Sequence, residues 1–311
     1  TFEPIYREKI WGGRNLERLF GRDLPRDVSI GESWDLADLE EGVSVVDNGP
    51  AAGTSLTELT QTLGTDLLGD AKPTEKGRFP LLLKLLDAND ILSLQVHPDE
   101  QAVRQIGPPA ALKTECWYIL ESRDGMIYKG VKPGVTPEQF RAAIENENVE
   151  DLVVRYDVSG GDFHYLPAGT VHALGAGVVV AEVQTPSDTT YRVTDWGRGR
   201  EIHVERSMQC IHFAPSEGPA PGASGDTLLK TPYFNVTRRH GAEPAEIPCG
   251  GRGQCAAVMT LAGEGRFEFR HAGDVEAAVE AGPGRTVLLP ARLRDAKIVT
   301  PRNFNCLLID V

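Results

Sequence analysis

Apolar and polar residues alternate along this chain in many short runs, and the period is mostly two. Runs at 81–86, 91–96, 115–120, 126–131, 153–157, 162–166, 178–184 and 191–196 predict β-strands, punctuated by 33 glycines and 21 prolines. Helical periodicity is brief. It predicts helices over 55–63 (capped by Thr54 or Ser55), 99–106 after Pro98, 136–147 with a Thr-Pro-Glu start, and within 201–212. Many short strands separated by turn signals predict a mostly β fold, a sandwich or jelly roll.

A Pro-, Gly-, Ser- and Ala-rich stretch at 214–226 reads as a linker, followed by a shorter β segment with alternation at 266–270. A short internal repeat joins the halves. Gly161-x5-Pro167-Ala168 is echoed by Gly284-x5-Pro290-Ala291; five residues past each proline stand His172 and Asp295. Lys113-Thr114-Glu115-Cys116 is likewise echoed by Arg252-Gly253-Gln254-Cys255. The expectation is two jelly rolls, residues 1–215 carrying a site and residues 225–311 a degenerate copy.

The strand pattern also gathers chemistry. In 91–96 the alternation puts Ser93, Gln95 and His97 on one face, with Leu92, Leu94 and Val96 on the other. Lys113 and Glu115 repeat the arrangement in the strand expected beside it, and His172 follows a Pro-x-Gly turn. An amide, two imidazoles and a carboxylate on one polar face make a divalent-metal donor set, with an ammonium nearby. Burying such groups unpartnered costs roughly 2–7 kcal/mol for an amide alone, and a shared ion removes that cost. His164 precedes the turn at the wrong spacing; His203, His212, His240 and His271 lack ligand-type company. Further on, Glu182 and Gln184 share a strand face, then Ser187, Asp188 and Arg192 follow across a turn. They form either a solvated hairpin rim or an anion anchor built on the Arg192 guanidinium. Trp11-Gly12-Gly13 and Gly31-Glu32-Ser33-Trp34 read as packing and turn chemistry.

Composition narrows the partners. The 311 residues carry a net charge of −13, which argues against nucleic acid and anionic membrane. A small anion remains compatible through Lys84, Lys113 and Arg192. No apolar run approaches the ~20 residues of a membrane helix, and no secretory signal is visible at the N-terminus. Five scattered cysteines suit a reduced, cytoplasmic protein.

The runs KIWGG (9–13), GESW (31–34), KLLDANDILSLQVHPDE (84–100), KTECWY (113–118), PAGTVHALG (167–175) and EVQTPSDTTYRVTDWGR (182–198) resemble type I mannose-6-phosphate isomerases. The short bacterial form, a zinc-dependent cupin, is the nearest likeness. That resemblance implies zinc on Gln95, His97, Glu115 and His172. It implies catalytic roles for Arg192, Glu182 and Lys113, and substrate contacts from Ser93, Lys84 and Asp188. The implied reaction interconverts mannose 6-phosphate and fructose 6-phosphate through a cis-enediolate, with Glu182 the first choice of base and Lys113 the second. The implied partner is a sugar phosphate, on a monomer or small homo-oligomer. Competing readings are another sugar-phosphate isomerase of this fold, a non-catalytic sugar-phosphate-binding cupin, and a cupin oxygenase, which the polar Lys/Arg-rich site disfavours.

Overall fold

In the computed structural model the described residues are 1–214, 220–249, 253–271 and 275–311. The N-terminal strands are β1 (Ile5–Gly13), β2 (Ile30–Leu36), the short pair β3 (Asp38–Leu39) and β4 (Gly42–Val43), β5 (Leu82–Ala88), β6 (Leu94–Val96), β7 (Glu115–Ser122), β8 (Met126–Val131), β9 (Val153–Asp157), β10 (Phe163–Leu166), β11 (His172–Leu174), β12 (Val178–Gln184) and β13 (Tyr191–Thr194). They form a six-stranded sheet ordered β1-β2-β5-β12-β7-β10 and a five-stranded sheet ordered β13-β6-β11-β8-β9. Trp117, Ile119, Val178 and Val180 of the first sheet pack on Ile127 and Leu174 of the second, so the two form a sandwich.

Beyond the 214–226 segment come β14 (Thr227–Lys230), β15 (Asn235–Gly241), β16 (Ala245–Pro248), β17 (Ala256–Ala262), β18 (Gly265–His271), β19 (Val275–Ala281), β20 (Thr286–Leu289), β21 (Arg294–Thr300) and β22 (Phe304–Asp310). Their sheets run β14-β15-β22-β17-β20 and β16-β21-β18-β19. The internal repeat is therefore architectural. Strands β5 to β12 give the orders 5-12-7-10 and 6-11-8-9, and β15 to β22 give 15-22-17-20 and 16-21-18-19, the same arrangement ten numbers on. Residues 215–219 of the expected linker, and Arg252, lie outside the described residues, as does the side chain of His271.

The second sandwich backs the first. The outer face of the six-stranded sheet (Leu83, Leu85, Cys116, Tyr118, Ala181, Val183) packs on Leu229, Val236, Ala257, Met259, Leu307 and Ile309. Burying each such leucine or valine contributes about 1.5–3 kcal/mol. This interface stiffens β5, β7 and β12 from behind, the strands whose other face carries Lys84, Glu115 and Glu182.

Helices are few and well signalled. They are α1 (Asn15–Phe20), α2 (Leu56–Leu63), α3 (Thr65–Leu68), α4 (Glu100–Ile106), α5 (Pro137–Glu145) and α6 (Val204–Cys210). Ser55 and Thr136 close reciprocal capping boxes with Glu58 and Gln139. Asp99 caps α4 by accepting from the Ala102 N–H at 2.7 Å, which stops the chain just after His97 and Pro98. Phe140, Ala143 and Ile144 of α5 and Cys210 of α6 cover Leu94 and Val96 on the outer face of the second sheet.

The alternation expected over 91–96 holds for Leu94 and Val96. Leu92 departs from it and packs inside the sandwich, its N–H bonded to the Leu174 carbonyl at 2.8 Å. The expectation that Gln95 and His97 sit on a strand neighbouring that of Glu115 fails. Strands β6 and β7 belong to different sheets, and their side chains meet across the sandwich interior. The intervening chain, with α4, crosses from one sheet to the other; a period-two pattern fixes which face a residue takes, not which strand lies alongside.

Candidate active site

Cross-strand register assembles the site from two facing rows. On the six-stranded sheet, Trp34 pairs with Lys84, Lys84 with Glu182, Glu182 with Trp117, and Trp117 with His164. One step along, Gln184 pairs with Glu115. On the opposite sheet, Arg192 pairs with Gln95, Gln95 with His172, and His172 with Lys129. Residues paired in this way present side chains to the same face, so each row is fixed by sheet register alone.

Where the rows meet, His97, Glu115 and His172 converge, each buried, with one donor atom apiece all within 4.8 Å of one another. His172 Nε2 lies 3.2 Å from Glu115 Oε1, and His97 Nε2 lies 3.5 Å from Glu115 Oε2. Both imidazoles are oriented from behind. His97 Nδ1 lies 2.9 Å from the Thr189 carbonyl and His172 Nδ1 lies 2.8 Å from the Thr170 carbonyl. Carbonyls only accept, so each ring donates from Nδ1–H and turns an Nε2 lone pair into the cluster. The Gln95 amide reaches to 3.3 Å from His172 Nε2, and a half-turn of that amide exchanges N for O at the same place.

The electrostatics match the donor set. His97 is held neutral, its pKa pushed well below the usual value by burial and then by Lys113. Burial pushes the Glu115 carboxyl upward, but Lys113 and the two imidazoles outweigh it and hold the pKa well below the ordinary range. Lys113 Nζ stands 3.1 Å from Glu115 Oε2. His97 Nε2 and both Glu115 oxygens are nevertheless buried with no hydrogen-bond partner. Orphaned acceptors of this kind, aimed at one point, fit a cation held by two imidazole nitrogens, a carboxylate and an amide oxygen.

The turn after β12 supports the cluster. Gln184 Nε2 donates to the carbonyls of Thr185 (2.8 Å) and Ser187 (2.7 Å), and the Ser187 hydroxyl accepts from the Thr189 N–H at 3.2 Å. That chain of bonds sets the Thr189 carbonyl that orients His97. Ser187 is thus engaged in turn structure. Gly169, at φ +87°, completes the turn before His172; the His212 ring lies where its Cβ would be, at 2.5 Å.

Glu182 lies outside the ligand cluster. Its Oε2 accepts from the Trp117 indole at 2.9 Å, Lys84 Nζ lies 3.3 Å from Oε1, and Oε1 has no hydrogen-bond partner. Burial, then the charge of Glu115, raise its pKa against the pull of Lys84 and Lys113. Arg192 donates to the Glu201 carbonyl at 2.5 Å, while its buried Nε has no partner. His203, which lacks ligand-type company in the sequence, pins this strand: its Nδ1 accepts from the Arg192 backbone N–H at 3.0 Å. Ser93 is buried in the loop entering β6, and Asp188 is exposed on a groove with Ser187 and Thr189. Sequence reading missed Glu32, Trp34, Trp117 and Thr189. The GESW and KTECWY runs carried the first three; nothing local marks a backbone carbonyl as a histidine partner.

His164 stays out of the cluster, its ring 6.3 Å from that of Tyr156. Burial, then Lys129, lower its pKa to about 4. The imidazole is neutral when folded and takes up a proton more readily when unfolded. Its favourable contribution is complete above the unfolded pKa of ~6.5 and is lost as pH falls through about 4. Chemical denaturation of a His164→Phe variant is expected to show a shallower loss of stability between those pH values than the wild type; an unchanged slope contradicts this.

Comparison with known proteins agrees with the geometry. The family described as phosphomannose isomerase type I, catalytic domain, matches residues 1–129. The mannose-6-phosphate isomerase of Streptococcus mutans is 37% identical over 252 residues, covering 75% of this chain and 78% of that protein. A mannose-6-phosphate isomerase of Bacillus subtilis is 40% identical over 217 residues, covering 68% of this chain and 67% of the other. A crystal structure of the mannose 6-phosphate isomerase from Bacillus subtilis superposes with a TM-score of 0.87 at 29% identity, over 100% of this chain and 98% of that one. By sequence identity over most of both lengths, and by a shared fold from end to end, the chain belongs to the type I mannose-6-phosphate isomerase family.

Proposed function

We propose that this protein is a zinc-dependent aldose–ketose isomerase that interconverts mannose 6-phosphate and fructose 6-phosphate through a cis-enediolate. The observation that carries the reading is the convergence of His97, Glu115 and His172, with Glu182 nearby as a buried carboxylate whose Oε1 has no hydrogen-bond partner. Gln95, His97, Glu115 and His172 would hold the ion. When bound it supplies Lewis-acid stabilisation of negative charge developing on the sugar oxygens. A mixed N/O set suits Zn²⁺.

The remaining chemistry falls to the chain. Glu182 removes the proton from C2 of the open-chain aldose, or C1 of the ketose, and returns it to the neighbouring carbon. Its raised pKa makes it a stronger base than an exposed carboxylate, and the Trp117 indole fixes its orientation. Lys113, the other candidate base, has its ammonium against Glu115. Arg192, with Lys84, Ser93 and Asp188, contacts the anionic and hydroxylic parts of the substrate.

A coupled assay with mannose 6-phosphate tests the function. Turnover is expected with zinc-loaded protein and is expected to fall by roughly 10²-fold or more after chelation, returning on zinc addition. Absence of turnover by zinc-loaded protein contradicts the reading.

A further inference from the structure

Lys84 faces two carboxylates at once. Its Nζ lies 3.3 Å from Glu182 Oε1 and 3.6 Å from Glu32 Oε2. Each carboxylate is gripped by an indole N–H: Trp117 to Glu182 at 2.9 Å, and Trp34 to Glu32 at 2.7 Å. Lys9 lies 2.9 Å from the other oxygen of Glu32, so two ammonium groups stand against two carboxylates. The Lys84 ammonium also lies 5.3 Å from the Trp34 ring. Glu115, Lys113 and Asp188 act on the same groups from farther away.

Both Lys84 contacts are ion pairs, each longer than the 2.9 Å contact of Lys9 with Glu32. A charge-assisted N–H···O hydrogen bond is typically about 2.7–2.9 Å long. Glu182 Oε1, 3.3 Å from the shared ammonium, has no hydrogen-bond partner. Register makes the arrangement specific. Strand β2 bears Trp34 opposite Lys84, and Gly31 lets β1 approach so closely that a Cβ there would meet the Trp11 ring at 2.6 Å and the Lys9 stem at 2.7 Å. That approach sets Lys9 on Glu32.

We propose that Glu32 is a positioning residue of the isomerase, holding the Lys84 ammonium between itself and Glu182 so that one Glu182 oxygen stays free to take the substrate proton. The proposal rests on reading Glu182 as the base. Without the Glu32 charge, Lys84 closes on Glu182, occupies Oε1 and weakens it as a proton acceptor. Glu32 touches no ligand of the metal cluster, so its effect falls on kcat rather than on metal content.

A double-mutant cycle on the zinc-loaded full chain tests this, with Glu32→Gln, Lys84→Met and the double variant compared with wild type. Glu32→Gln is expected to lower kcat by roughly 10–100-fold, with KM within about threefold and zinc content unchanged. In the Lys84→Met background the same change is expected to cost less than about threefold, because nothing is left to close on Glu182. Equal losses in both backgrounds, or a loss confined to KM, overturn the proposal. If Glu32→Gln does not fold, Glu32→Asp carries the same comparison, since it keeps the charge and withdraws it from Lys84. A wild-type chain inactive on mannose 6-phosphate overturns this proposal and the proposed function together; an active wild type with additive losses overturns this proposal alone.

Discussion

Replacing Glu115 by glutamine is expected to strip the protein of its metal and to cut turnover of mannose 6-phosphate by about 10³-fold or more. The carboxylate sits between the two imidazoles and is the only anion among the four donors. It is also the partner of Lys113 at 3.1 Å, in a place from which water is excluded. An amide there keeps the shape and removes the charge, leaving a buried ammonium uncompensated. Breaking a buried pair in this way costs about 3–5 kcal/mol, so the variant is also expected to melt earlier than the metal-free wild type. Elemental analysis after dialysis, set beside a thermal melt, checks both effects. Retention of a full complement of tightly held zinc by Glu115→Gln contradicts the ligand assignment.

Glu182→Gln is expected to have the second largest effect, and of a different kind. It spares the ligand cluster, so zinc content stays at the wild-type level while kcat falls by roughly 10²–10⁴-fold, the usual worth of a positioned general base. The acid limb of the wild-type profile is expected above the ordinary glutamate range, because burial and Glu115 raise the Glu182 pKa. Activity falls as the pH drops through that raised value and the base becomes protonated. Exchange of solvent protons into the sugar reports the step itself. Exchange at near the wild-type rate in Glu182→Gln would show that another group is the base, and Lys113 would then be the next to replace.

What the sequence conveyed followed from local periodicity. Strands β5 to β10, β12 and β13 were legible as short apolar or alternating runs, β11 was not, and α2, α4 and α5 were legible because Ser55, Asp99 and Thr136 mark their starts. Strand β2 was not legible. Glu32, Ser33 and Asp35 are all buried within Ile30–Leu36, stabilised by partners far away in the chain: Lys9 and Lys84 for Glu32, and Arg22 at 2.7 Å for Asp35. Polar residues buried through long-range ion pairs break the hydrophobic pattern that announces a strand. Strand β1 was hidden for another reason: its first six residues are only partly buried or exposed, and its inward residues cluster at the Trp11-Gly12-Gly13 end.

The residues of the buried His97–Glu115–His172 cluster were singled out from the sequence, but their arrangement was not. Period-two alternation puts Gln95 and His97 on a common side and predicts the strand bearing Glu115 beside them. The connection through α4 instead carries the chain to the facing sheet, so that the site is enclosed between two sheets rather than laid out on one. Enclosure is what leaves Glu182 and Lys84 buried with the ligands and gives their charges leverage on each other. The Gly-x5-Pro-Ala echo is matched by the strand orders of β5–β12 and β15–β22, with Asp295 near the head of β21 where His172 heads β11.

The proposed function requires one ion, gathered by residues 95, 97, 115 and 172, for the chemistry. Titrating metal-stripped protein with zinc while following mannose 6-phosphate turnover tests it directly. Activity is expected to climb from near zero and level off at about one zinc per chain. Stripped protein that already works at the plateau rate would contradict it.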